Sequence, residues 1–116
     1  MKEEGINIGL GTDGPMSGNT LDVIGQMVQV GKIHKLFNND RTILPSIELV
    51  EMATIGGAKV LGLDKEVGSI EVGKKADLAL IETKSVNMQP IYDYYAAIVY
   101  SANASNIDTV IVDGKV

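Results

Sequence analysis

At 116 residues the chain is long enough to bury about two-thirds of its unfolded surface, so it is one domain or a piece of a larger one. Its 15 acidic residues outnumber 10 basic ones, and the net charge of −5 comes without any basic stripe, which excludes the electrostatic footprint of a nucleic-acid binder. Cysteine is absent, which excludes disulfides, thiolate metal sites and cysteine nucleophiles. No run approaches the ~20 apolar residues of a membrane span. Met1-Lys2-Glu3-Glu4-Gly5 lacks the apolar core of a signal peptide, so a cytoplasmic location without membrane partners is expected.

Residues 6–10, Ile-Asn-Ile-Gly-Leu, form an apolar run leading into Gly11-Thr12-Asp13-Gly14-Pro15, the pattern of a buried strand ending in a Gly-rich loop. Leu21, Ile24, Met27, Val28 and Gly31 then follow helical spacing, and a helix is expected over 20–37, capped by Asn19 or Thr20 with Asp22 in its first turn. Pro45 opens a second helix and Gly62 closes it. Its apolar arc, with Leu49, Met52, Ala53 and Val60 beside Ile47, Val50 and Leu61, is wide enough to be covered from more than one side. Gly56-Gly57 inside that helix costs about 1 kcal/mol per residue relative to Ala, which points to close approach of another backbone.

After Gly62 the chain changes to strands and turns. Strands are expected at 68–72, 77–82 and 107–112, the middle one apolar enough to be covered on both faces. A helical turn is expected at 92–100, and Asp113-Gly114 is a hairpin signal whose return strand, Lys115-Val116, reads as cut short. The strands at 77–82 and 107–112 are expected in one sheet, apart from 6–10.

Asp13 is the first candidate for chemistry. A carboxylate in a Gly-rich loop at the C-terminal end of an α/β strand can ligate a divalent metal or move a proton. Asp-Gly-Pro is also ordinary turn chemistry, and on the residues alone the turn is the better account. Ser17 and Asn19 can hydrogen-bond a substrate or orient Asp13; equally, Ser17 can brace the turn and Asn19 the helix start. His34 is the single histidine, and a lone His cannot build a zinc site. The tyrosines Tyr92, Tyr94, Tyr95 and Tyr100 have no basic interleaving and are expected to pack.

Four collinear blocks change the balance at Asp13. Gly11-Thr12-Asp13-Gly14 with Ser17, Asn19, Leu21 and Asp22 resembles the eighth-strand motif of the amidohydrolase superfamily. Glu51-Met52-Ala53-Thr54-Ile55-Gly56-Gly57-Ala58, Gly68 to Leu78, and Gln89-Pro90-Ile91-Tyr92-Asp93 resemble further blocks of its branch of methylthioadenosine/S-adenosylhomocysteine deaminases and triazine chlorohydrolases. The resemblance implies an α/β parent, a (β/α)8 metal-dependent hydrolase barrel plus a composite β-sandwich. Residues 1–62 would supply the last barrel strand and two helices, and 63–116 the C-terminal sandwich strands.

It also implies hydrolytic deamination of a small heterocyclic substrate, such as a purine or pyrimidine derivative, with one divalent metal, zinc or iron. Asp13 would be both metal ligand and catalytic proton acceptor, and Ser17 and Asn19 would bind substrate. The family's ligating histidines match nothing here, so this chain by itself is expected to hold no metal and to be inactive. It would form a homo-oligomer or associate with the rest of the enzyme. Two alternatives remain open: dechlorination or cyclic-amide ring opening by the same fold, and a stand-alone, non-catalytic domain that self-associates or binds a partner. The turn at Glu71–Asp77 is expected to be structural, Asp77 accepting backbone N–H bonds while the lysines are solvated.

Overall fold

A computed structural model describes residues 4–116. A short helix α1 (Pro15–Gly18) precedes α2 (Val23–Phe37); α3 (Ser46–Glu51) runs through a π turn at Met52–Gly56 into α4 (Gly57–Leu61). Strand β1 (Leu78–Ile81), helix α5 (Tyr94–Tyr100) and strand β2 (Ile107–Ile111) follow.

Helix α2 begins later than its periodicity suggests, and neither Asn19 nor Thr20 caps it. Asp22 does, its Oδ1 accepting from Gly25 N at 3.0 Å. The cause lies just upstream. Pro15 at the first position seeds α1, and Asn19 ends it in a left-handed conformation at φ 59°, so helical backbone cannot resume until Val23. Thr20 Oγ1 accepts from Asp22 N at 3.0 Å, bracing the cap.

The second helix ends at Gly62, as expected, in a left-handed conformation at φ 71°. The π turn in its middle was not foreseen; a one-residue wider turn leaves no trace in apolar periodicity. Leu49 is fully buried with Met27 and Val99, joining α2, α3 and α5 into one core to which Leu10 adds. The wide apolar arc is only partly covered: Ile47, Val60 and Leu61 are exposed.

Residues 6–10 carry no strand hydrogen bonding, contrary to expectation. A strand exists only beside another strand, and none of the described residues runs alongside this one. Leu10 N donates instead to Met52 O at 3.1 Å. Residues 68–72 form no strand either; they lead into a turn in which Lys74 N donates to Glu71 O at 3.2 Å. Gly73 takes φ 94° there, and Ile70 and Val72 point into solvent.

Strands β1 and β2 do share one sheet, antiparallel, with Leu78 opposite Ile111 and a register irregularity between Leu80 and Ile81. Residues 6–10 are not part of it. Strand β1 is not covered on both faces, since Leu80 is exposed and the sheet has two strands. The expected hairpin is present: Val112 bridges Lys115 across Asp113-Gly114, both at positive φ. Asp77 Oδ1 accepts from Asp113 N at 2.7 Å, tying the start of β1 to this turn.

Lys74 departs from the expected solvated lysine. Its side chain is 11% exposed, bonded to Ser69 Oγ at 2.6 Å and paired with Glu71 at 3.2 Å. Lys75 stays half-exposed and pairs with Glu66 at 2.8 Å, which raises its pKa above the ordinary value. The tyrosines pack less than expected, Tyr92 being almost fully exposed. Tyr100 is engaged: its OH accepts from Lys35 Nζ at 2.7 Å, and the same ammonium lies 5.3 Å from its ring centroid.

Candidate active site

Asp13 sits where the run 6–10 gives way to α1, at φ 58°. This left-handed conformation is disfavoured for most residues and tolerated by Asp and Asn, whose short polar side chains bond locally. Here Asp13 Oδ1 accepts from Gly14 N at 2.7 Å, and Thr12 Oγ1 donates to the Asp13 carbonyl at 2.9 Å. The turn account of Asp13 therefore holds. One carboxylate oxygen fixes the turn, and the other has no protein partner among the described residues.

The loop folds tightly on itself. Ser17 N and Gly18 N both donate to Gly14 O, at 2.9 and 3.0 Å, and a Cβ on Gly18 would lie 2.6 Å from the Thr12 carbonyl oxygen. Ser17 and Asn19 emerge from this turn exposed, and no hydrogen bond engages either side chain among the described residues. Both are thus available to a ligand, and neither braces Asp13 directly.

No cluster of three or more His, Cys, Asp or Glu able to hold a metal is found among the described residues. Asp13 fits a divalent ion as one ligand, through its open oxygen; a working site takes three or four. His34 is remote from this role. It lies in the last turn of α2 and lines an open apolar groove of about 370 Å³ with Ile6, Ile8, Val30, Met52 and Ile55. No helix among the described residues is long and apolar enough to cross a membrane.

Residues 1–116 match the sequence profile of the amidohydrolase family over their whole length, and the chain belongs to that family. Among curated relatives it is 46% identical to the 5-methylthioadenosine/S-adenosylhomocysteine deaminase of Thermoanaerobacter pseudethanolicus, over 100% of this chain and 27% of the relative. It is 42% identical to the 5'-deoxyadenosine deaminase of Methanosarcina acetivorans, over 100% of this chain and 26% of that one. The chain thus spans about a quarter of the length of the relatives it matches.

Among solved structures, a zinc-bound adenosine deaminase from Xanthomonas campestris superposes with a TM-score of 0.94 at 33% identity, over 98% of this chain and 26% of that one. A zinc complex of atrazine chlorohydrolase from Arthrobacter aurescens gives a TM-score of 0.89 at 26% identity, over 98% and 25%. The architecture is accordingly that of the matching quarter of an amidohydrolase barrel enzyme.

Proposed function

We propose that this chain is the C-terminal portion of a metal-dependent amidohydrolase that hydrolytically deaminates an aminated purine-type heterocycle, replacing an amino group with an oxo group and releasing ammonia. The observation that carries this reading is Asp13. Its backbone is locked by its own turn while one carboxylate oxygen remains open at the end of the apolar run. Such a carboxylate is preorganised to act without moving.

Asp13 would ligate a single divalent ion, zinc or iron; zinc is favoured by the two zinc-bound neighbours. When bound, such an ion supplies the Lewis acidity that makes water nucleophilic near neutral pH. The Asp13 carboxylate would take the proton from the attacking water and return it to the leaving amine. Ser17 and Asn19, exposed one turn further on, would hydrogen-bond the substrate. Deamination is favoured over dechlorination because identity is higher to the deaminases, 46% against 26% for the chlorohydrolase.

Residues 1–62 are read as the end of the barrel and 63–116 as the C-terminal share of the sandwich. Helix α5 then crosses the division, since it packs on α2 and α3. The chain alone would be inactive and would associate, either with copies of itself or with the rest of the enzyme. A single monomeric species of 12.3 kDa on sedimentation at micromolar concentration would overturn that part. The chemical reading is tested by Asp13→Asn in the full-length enzyme. It keeps size and turn geometry but removes the charge, and should cost at least ~10² in kcat with Tm nearly unchanged. A near-wild-type rate would defeat it.

A further inference from the structure

Among the described residues, the run that carries Asp13 rests on a helix, in addition to whatever sheet neighbours the rest of the barrel supplies. Its contacts converge on the π turn of the second helix. Leu10 N, three residues before Asp13, donates to Met52 O at 3.1 Å, at the first residue of that turn. A Cβ on Gly56 would lie 2.6 Å from Ile8 O, and one on Gly9 would lie 2.8 Å from the Gly57 Cα. Backbone therefore rests on backbone from Ile8 to Leu10, with no side chain between.

A π turn shifts each helical hydrogen bond by one residue and widens the helix locally, and such single turns recur at functional sites. Thr54 Oγ1 donates to the Val50 carbonyl at 2.7 Å, tying the turn to the helix before it. Two glycines in a helix interior oppose helix formation. Only Gly56 is required by the contact with Ile8. A Cβ on Gly57 would meet nothing closer than Met52 O at 3.6 Å, an ordinary distance.

We propose that the π turn at Met52–Gly56, seated on Ile8–Leu10 through Gly56 and the Leu10–Met52 hydrogen bond, is a positioning element that helps aim Asp13. This rests on the reading of Asp13 given above. Gly56 and Met52 are thus positioning residues that act through the backbone of the run 8–10, without touching the reacting atoms.

The test compares Gly56→Ala, Gly57→Ala and Thr54→Val in the full-length enzyme, with Asp13→Asn in parallel. Three readouts are taken: kcat against KM, zinc retained on dialysis against a competing chelator, and hydrogen exchange at the Leu10 amide. Gly56→Ala should lower kcat by about tenfold or more with KM little changed, lose zinc faster and expose the Leu10 amide. Gly57→Ala should stay within about twofold of wild type on each, because it adds the same methyl without displacing Ile8.

Thr54→Val, an exposed and nearly isosteric change, should move the readouts in the same direction by about threefold. It keeps the test decisive if Gly56→Ala does not fold. The proposal is overturned if Gly56→Ala and Gly57→Ala behave alike, or if Gly56→Ala leaves zinc retention and Leu10 exchange unchanged. It is equally overturned if Gly56→Ala fails to fold and Thr54→Val matches wild type. If Asp13→Asn is silent while zinc retention still responds to Gly56→Ala, the role assigned to Asp13 fails and the seating of the run stands.

Discussion

The loop around Asp13 and the segment from Ser85 to Ile111 satisfy their polar groups in opposite ways. In the C-terminal segment the bonds close on themselves. Asn106 is 1% exposed. Its Nδ2 donates to Ser85 Oγ at 2.7 Å, and its Oδ1 accepts from Asn87 Nδ2 at 2.8 Å and Asn103 N at 3.0 Å. Around Asp13 the backbone is bonded, but the functional groups of Asp13, Ser17 and Asn19 face outward with capacity to spare. A segment whose buried polar groups are all matched serves as frame, whereas a rigid loop with unspent acceptors is where the proposed chemistry would be done.

That contrast can be broken at either end. The largest expected effect is that of Asp13→Asn, a loss of at least ~10² in kcat without comparable loss of stability. Asn106→Ala should do the reverse. It strands Ser85, Asn87 and the Asn103 amide, costing about 1–3 kcal/mol in a urea titration at unchanged m-value, while kcat of the folded enzyme stays put. An Asn106→Ala enzyme with normal stability would mean the network is ornamental.

Asn19 sharpens the comparison within the loop, because its φ of 59° separates backbone from side-chain roles. Asn19→Gly keeps that conformation and deletes only the side chain. If Asn19 reads the substrate, KM should rise by about fivefold, the value of one neutral hydrogen bond. An unchanged KM would reduce Asn19 to the residue that ends α1.

The smallest effect is electrostatic. Glu82 is a partly exposed carboxylate whose pKa is lowered from the ordinary 4.5, first by the Lys84 backbone N–H and then by Ser85. A depressed folded-state pKa stabilises above the unfolded value and is lost as pH falls through the folded one. Glu82→Gln should therefore lower Tm slightly at neutral pH, and the difference should fade as pH falls below 4.5. A difference that grew on acidification would contradict this.

Much of the outline was legible because it depends on local or periodic features. The helix expected over 20–37 and found at Val23–Phe37, the Gly62 stop, the pairing of 77–82 with 107–112 and the Asp113-Gly114 turn all follow from spacing and turn chemistry. Asp13, Ser17 and Asn19 were singled out through the order of the blocks around them. Their residue types alone left each role open, since Asp and Asn serve turns and sites equally well.

What spacing could not give were features made by contact at a distance. The run 6–10 reads as a strand, yet a strand is defined by its neighbour, and among the described residues the run meets a helix. The π turn at Met52–Gly56 changes one hydrogen bond in the helix without changing the sequence period. Asp22 became the cap in place of Asn19 only because α1 first consumed the preceding residues. Ile70 and Val72 look like strand residues and stand in solvent, because apolar side chains are buried only where another surface comes to meet them. Composition and order thus determined which elements this chain can make and which family it belongs to. Tertiary contact decided how closely Ile8–Leu10 rests on Gly56, and hence where the Asp13 carboxylate is held.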